Sequence, residues 1–241
     1  MLLSLSDIQH LPSYDPSSSS CSPSKYKYKV CVIGNSCVGK TSLIHRAKHN
    51  AFARTLATVG YDVVKLYFSL PNEEMCELHL WDTCGQEVYQ AINSMFYKDV
   101  AVGVLVYSIT SRDSLEELAS WLNALRTYSY PDIKVCVLGN KADCEQKRKV
   151  SAKEGEEFVK ANELWKFMEV SAKEEGGSVI NMFKEVAVEL INAANTSCSI
   201  TNRSIRLISG HDNTKANTCA CFSNGRSSSK RYYIISCGCT K

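Results

Sequence analysis

The sequence predicts an α/β domain in which a mostly parallel sheet is covered by helices on both faces. Three observations predict it. Apolar runs recur at Val30-Cys31-Val32-Ile33, Ala101–Tyr107, Ile133–Leu138 and Lys166–Val170, continuous rather than alternating, as strands buried on both faces read. Between the runs lie stretches of helical period, with Leu115, Leu118, Leu122 and Leu125 spaced for one face and Phe183, Val186, Ala187 and Leu190 for another. The stretch carrying this pattern, Tyr26 to about Ala194, holds 169 residues, enough for one well-buried core.

The elements follow in order. Residues 1–25 are rich in Ser and Pro (Ser17 to Ser20, then Cys21-Ser22-Pro23) and are expected to be a disordered leader. The first strand begins near Tyr26 and ends at Gly34, where a helix-length segment follows. Residues 61–70 and 76–81 alternate as a hairpin turning at Pro71-Asn72. The three later apolar runs then alternate with the two helical stretches. No internal repeat is visible. After residue 194 the Ser/Thr/Asn content rises and periodicity is lost, so 195–241 reads as a tail, leaving 26–194 as the folded domain.

Composition excludes several classes. Hydrophobic residues are 44% and charged residues 22%, ordinary globular usage. No run approaches the roughly 18 apolar residues of a membrane span. The opening residues lack a basic n-region, and Asp7 and His10 interrupt their apolar character, so they read poorly as a secretory signal. Net charge is +3, but the leader carries −1, the tail +6 and the middle −2, so the domain has no basic face for nucleic acid. There are twelve cysteines, of which Cys31, Cys76 and Cys136 sit in apolar strand-like runs where a free thiol behaves as a small hydrophobe. Free thiols in a reducing compartment are the expectation.

Four short motifs carry chemistry. Gly34-Asn35-Ser36-Cys37-Val38-Gly39-Lys40-Thr41 follows the first strand and opens the first helix, fitting G-x-x-x-x-G-K-[ST] in its required context. Its glycines let successive N–H groups point at a phosphate chain, and the helix N-terminus adds a positive dipole end. Lys40 would neutralise the β- and γ-phosphates, and the Thr41 hydroxyl would ligate Mg²⁺. Trp81-Asp82-Thr83-Cys84-Gly85-Gln86-Glu87 puts Asp82 at a strand's carboxyl end, where it can serve the same metal. Gly85 can bring an N–H to the γ-phosphate, and Gln86 is suited to orienting an attacking water. Asn140-Lys141-Ala142-Asp143 follows another strand. The Asp143 carboxylate can accept from guanine N1 and N2, a donor pair that adenine lacks. Ser171-Ala172-Lys173 follows the last strand and would offer the Ala172 N–H to guanine O6. The nucleotide-binding set is therefore Gly34, Ser36, Cys37, Val38, Gly39, Lys40, Thr41, Ser42, Gly85, Asn140, Lys141, Asp143, Ser171, Ala172 and Lys173.

With these motifs the chain resembles the Ras-like small GTPases over residues 26–194. Trp81-Asp82-Thr83, Ala57-Thr58-Val59-Gly60 and the spacing from Asp143 to Ser171 are similar to the Rab branch, while Leu2 stands where Arf-type proteins carry an acylated glycine. The resemblance implies a six-stranded, mostly parallel sheet with one antiparallel strand and five helices. It implies a GTP/GDP switch with Mg²⁺ on Thr41, Thr58 and Asp82, and a catalytic group of Gln86, Lys40 and Thr58. Phe52 falls where the family packs an aromatic on the guanine, and the Lys141 stem covers the other face. The family's effector-facing aromatic triad falls on Val63, Trp81 and Phe96.

The implied partners are an exchange factor, a GTPase-activating protein, a GDP-dissociation inhibitor or prenylation escort, and effectors of vesicle traffic. The implied form is a monomer on the cytosolic face of endomembranes. Departures from the pattern are Val63 for a Phe, Cys84 for an Ala, Val88 for a switch II Arg, Ser108 for an Asp, and one residue fewer between Lys40 and Thr58. The tail holds Cys237-Gly238-Cys239, similar to the doubly prenylated Cys-x-Cys of Rab tails but followed by Thr240-Lys241. An unmodified tail and zinc binding by Cys219 and Cys221 with Cys237 and Cys239 are the other readings. For the domain, the other readings are a non-cycling GTP-binding scaffold and an ATP-using enzyme, the latter opposed by Asn140 and Asp143.

Overall fold

The structure, a computed structural model, describes residues 2–12, 14–15, 24–53, 58, 60–71, 73–83 and 94–197. Its strands are β1 (Gln9–His10), β2 (Tyr26–Ile33), β3 (Tyr61–Ser69), β4 (Met75–Thr83), β5 (Val102–Ser108), β6 (Lys134–Asn140) and β7 (Lys166–Glu169). The helices are α1 (Lys40–His49), α2 (Ser94–Tyr97), α3 (Arg112–Glu116), α4 (Leu118–Tyr128), α5 (Ala152–Ala161) and α6 (Ser178–Ser197). Only Glu117 separates α3 from α4, and its own φ of −75° and ψ of −9° are helical, so the two are one helix in two segments and the expected five are present among the described residues.

The sheet runs β1-β3-β4-β2-β5-β6-β7, with parallel pairing of β2 to β4 and β5, of β5 to β6 and of β6 to β7. β3 alone runs against the rest, pairing antiparallel with both β1 and β4. The chain leaves central β2 toward β3 and β4 on one side and returns to β5 on the other, so the carboxyl ends of β2, β4 and β5 meet at a topological switch point.

Alternate residues of the buried strands feed two cores. On one face Val30, Val32, Leu78 and Leu80 pack with Leu43 and Ile44 of α1 and with Phe183, Val186, Ala187 and Leu190 of α6. On the other, Cys31, Ile33, Leu105 and Val137 pack with Leu118, Trp121, Leu122 and Leu125 of α4. The helical faces read from the sequence are thus the faces that the structure buries. Cys31, Cys76 and Cys136 are buried free thiols, and burial pushes Cys31 and Cys136 each up to about 12. Among the described residues no helix is long and apolar enough to cross a membrane.

The expected count of six strands becomes seven because the start of the leader packs on the domain. Leu3 donates its N–H to Asn192 Oδ1 (2.7 Å) and accepts from Asn192 Nδ2 (2.9 Å), and Ile8 is 2% exposed. Gln9 and His10 then pair with Ser69 and Phe68, and the Leu11 N–H reaches the Tyr67 carbonyl at 2.9 Å. Tyr14 crosses the sheet edge to lie against the Tyr67 ring, centroids 4.7 Å apart. These residues show no period of their own. Their hydrogen-bond partners are the open edge of β3 and a side chain 189 positions away in sequence.

Candidate nucleotide site

The loop from Gly34 to Gly39 joins β2 to α1 at the switch point. Gly34 has φ +144°, and a Cβ there would stand 2.1 Å from the Val106 carbonyl oxygen. Gly39 has φ +98°, and a Cβ there would stand 2.4 Å from Asn140 Nδ2. Both positions require glycine through backbone sign and crowding together. Cys37 holds a left-handed φ of +62° without being glycine, and its thiol is exposed, as is Ser36. Lys40 opens α1, is 6% exposed, and donates Nζ to the Gly34 carbonyl (2.8 Å) and the Asn35 carbonyl (2.9 Å), so its charge lies over the mouth of the loop. Ser42 follows Thr41 on the first turn of α1.

Three oxygen-bearing side chains converge beside Lys40. Thr41 Oγ1 donates to Asp82 Oδ2 at 2.6 Å, Thr58 Oγ1 reaches the same oxygen at 3.2 Å, and the two hydroxyls are 2.8 Å apart. Asp82 is 2% exposed, and among the described residues its Oδ1 has no hydrogen-bond partner. Burial holds its pKa above the usual carboxylate value, despite the Thr41 hydroxyl and the Lys40 charge that pull it down. A buried carboxylate with one oxygen held by two hydroxyls and the other orphaned among the described residues is the donor set of a hard divalent cation, and Mg²⁺ fits it. Thr83 Oγ1 donates to the Val32 carbonyl at 2.9 Å and pins the end of β4 against β2, which fixes where Asp82 stands.

At the other end of the loop Asn140, 2% exposed, donates Nδ2 to the Val38 carbonyl (2.8 Å) and accepts from the Ala172 N–H through Oδ1 (3.2 Å). It is a brace between the phosphate loop and the Ser171–Lys173 loop, and the Ala172 amide expected to face guanine O6 is donated to that brace. Lys141, at φ +67°, lays its stem across to donate Nζ to the Cys37 carbonyl at 2.7 Å. Asp143 accepts from Ser171 Oγ at 2.7 Å, and Ser171 Oγ in turn accepts the Lys173 and Glu174 amides (3.1 and 3.0 Å). Burial pushes the Asp143 carboxyl up, but bonds from Ser171, Cys144 and its own backbone amide, with the Lys173 charge, outweigh it and hold the group ionised below its usual value.

The structure therefore brings together Gly34, Ser36, Cys37, Val38, Gly39, Lys40, Thr41, Ser42, Thr58 and Asp82 at one end and Asn140, Lys141, Asp143, Ser171, Ala172 and Lys173 at the other. Phe52 lies just past α1 and is 44% exposed. Gly85, Gln86, Cys84, Ala57 and Val59 lie outside the described residues, as do Cys237 and Cys239.

Two features were missed by sequence reasoning. Arg46, 4% exposed on α1, donates to the Ala172 carbonyl (2.8 Å), the Lys173 carbonyl (2.7 Å) and the Asn50 carbonyl (2.8 Å), holding the base-side loop to α1. A lone Arg in a helix gives no sequence signal of this. The aromatic surface expected on Val63, Trp81 and Phe96 also includes Tyr61, which stacks on Trp81 (5.2 Å, 9°) and meets Phe96 edge-on (5.1 Å). Tyr61 and Val63 share one face of β3, so the period-2 pattern held the signal. Lys29 Nζ lies 3.9 Å from the Trp81 ring centroid beneath them.

A phosphate loop, a buried carboxylate with two hydroxyls and an ionised base-side Asp at the carboxyl edge of this sheet define a small GTPase domain of Ras-like architecture. The Ras family model matches residues 29–192, and the chain belongs to that family, as a divergent Rab-like member. It is 37% identical over 149 residues to Ras-related protein Rab-11C of Dictyostelium discoideum, covering 61% of this chain and 66% of that protein. It is 36% identical over 180 residues to Ras-related protein Rab-17 of Mus musculus (74% and 83%) and 31% identical over 208 residues to Ras-related protein RABA1c of Arabidopsis thaliana (83% and 95%).

Proposed function

We propose that this chain is a Rab-like GTP/GDP switch that hydrolyses GTP slowly, with assistance from a GTPase-activating protein, and recruits effectors in vesicle traffic. The observation that carries the reading is the convergence of the Thr41 and Thr58 hydroxyls on Asp82 Oδ2 beside Lys40, with Asp82 Oδ1 left unpartnered among the described residues. Thr41, Thr58 and Asp82 would hold Mg²⁺, which when bound neutralises phosphate-oxygen charge. The loop amides and the α1 dipole bind the phosphate chain, and Lys40 exchanges its two carbonyls for the β- and γ-phosphate oxygens. Asp143, kept ionised, accepts the guanine N–H pair, the Lys141 stem covers one face of the base, and Phe52 packs on the other. Gln86 orients the attacking water.

Each described arginine is engaged away from the phosphate loop: Arg46 on the Ser171–Lys173 loop, Arg112 on Glu154, Arg126 on Asn162 and Arg148 on Glu169. That supports slow intrinsic turnover and an arginine supplied by a partner, for a gain of roughly 10³–10⁵-fold. Loss of the γ-phosphate would release Thr58 and Gly85, switching the surface beside Tyr61, Trp81 and Phe96 that effectors and the exchange factor read. A tail prenylated on Cys237 and Cys239, carried by a dissociation inhibitor or escort, would hold the monomer on the cytosolic face of endomembranes.

The test is chromatography of the nucleotide released by denaturing the purified protein, followed by single-turnover GTP hydrolysis with and without cell extract. Released GDP or GTP with extract-stimulated turnover supports the switch. An adenine nucleotide, or none, refutes the site, and GTP held without turnover under both conditions refutes the hydrolysis. An intact mass raised by two isoprenoids tests the tail.

A further inference from the structure

Asn35 is a loop residue to which no role has been given, yet its side-chain amide is held at both ends. Trp121 Nε1 donates to Asn35 Oδ1 at 2.6 Å, and Asn35 Nδ2 donates to Glu117 Oε2 at 2.7 Å. The backbone carbonyl of the same residue accepts from Lys40 Nζ at 2.9 Å. Glu117 and Trp121 are one helical turn apart, and Glu117 is the hinge between α3 and α4, its carbonyl accepting the Ser120 and Trp121 amides at 3.0 and 3.3 Å. Trp121 is 2% exposed and packs in the core between α4 and the sheet, so its indole N–H is a fixed donor. The amide orientation is forced, because only the oxygen can meet an indole N–H and only the nitrogen can meet a carboxylate.

We propose that Trp121 and Glu117 are positioning residues for the phosphate loop. Acting through Asn35, they preset the Gly34–Asn35 turn and lengthen the residence of the bound nucleotide. This rests on the guanine-nucleotide reading of the site. The loop carries left-handed residues at Gly34, Cys37 and Gly39, so a loop freed of the α4 contact gains conformations that no longer present its amides together. A nucleotide then binds a less populated state and leaves sooner.

The experiment first measures release of a fluorescent GDP analogue from the wild-type chain in excess Mg²⁺, then from Asn35→Ala, Trp121→Phe, their double variant, Glu117→Ala and Glu117→Gln. Asn35→Ala removes a half-buried side chain outside the core and keeps the test alive should Trp121→Phe fold poorly. Release is expected to be about tenfold faster in Asn35→Ala and Trp121→Phe, a size set by one part-buried hydrogen bond. The double variant should be no faster than either single variant, because the three residues act as one unit. Glu117→Gln, which still accepts from Asn35, should restore most of what Glu117→Ala loses.

A second readout needs no nucleotide. The chain has three tryptophans, and in the ¹⁵N spectrum Asn35→Ala should shift the indole N–H signal that Trp121→Phe deletes. Unchanged release in variants of a wild type that retains the analogue, or additive effects in the double variant, or an unmoved indole signal, overturns the proposal. A wild type that binds no GDP analogue while the indole signal moves as expected refutes the nucleotide reading, and with it the residence role, leaving only the contact.

Discussion

Asp82→Asn separates what the metal-type site costs the fold from what it would do for a ligand. The carboxylate is 2% exposed, both threonine hydroxyls converge on Oδ2, and Oδ1 is unpaired. Leaving a buried charged group partly unsatisfied costs about 1–3 kcal/mol. A neutral amide keeps one oxygen for the threonines and removes the charge. The metal-free variant should therefore be more stable than wild type by about 1 kcal/mol, which for a domain of this size is roughly 2–4 °C in Tm. Metal linkage is expected to have the opposite sign, since Mg²⁺ bound at the proposed site at a hundred times its Kd would stabilise wild type by about 2.7 kcal/mol and should leave the variant almost unmoved.

The pH dependence follows from the raised pKa of Asp82. Between the unfolded value of 3.8 and the higher folded value, the folded chain holds the extra proton, so wild type loses stability as pH rises through that window. The advantage of Asp82→Asn should be full at neutral pH and vanish below pH 3.8. Circular-dichroism melts in EDTA and in excess Mg²⁺ check both signs. A variant melting several degrees below wild type in EDTA, or showing the wild-type response to Mg²⁺, would refute the assignment of the orphaned oxygen.

Three further outcomes are expected. Arg46→Ala strands three carbonyls of the α1 end and the base-side loop, and should cost about 3 kcal/mol in urea unfolding and speed GDP release; normal release from a destabilised variant would count against a role in the site. Gln86→Leu should keep GTP affinity and slow single-turnover phosphate release by about 10- to 100-fold, and an unchanged rate would remove Gln86 from water positioning. Glu77, 4% exposed, is raised by burial but more strongly lowered by His79 and Lys65, to about 2. Its stabilising effect is present above the unfolded 4.5 and lost as pH falls toward about 2. Glu77→Gln should thus lose about 2–3 kcal/mol at pH 7 and converge on wild type in acid, with parallel pH curves as the contrary result.

The sequence by itself determined the α/β class, the two helical faces that pack on the sheet, and the motifs whose described residues, Gly34–Thr41, Asp82, Asn140–Asp143 and Ser171–Lys173, stand at its carboxyl edge. These were legible because their physics is local. A phosphate cradle needs glycine where a Cβ would strike Val106 or Asn140, and a core strand needs apolar residues on both faces. Only the tertiary structure decided the leader's docking, the grip of Arg46 on the base-side loop, the ring that Tyr61 adds to Trp81, and the hold of Trp121 and Glu117 on Asn35. Leu3 and Asn192 are 189 positions apart, Arg46 and Ala172 126, and Asn35 and Glu117 82, while Tyr61 and Trp81 lie on neighbouring strands. The residue types involved are ordinary for a leader, a helix or a strand. Such contacts arise from where the folded chain brings two segments together, and no local pattern records that.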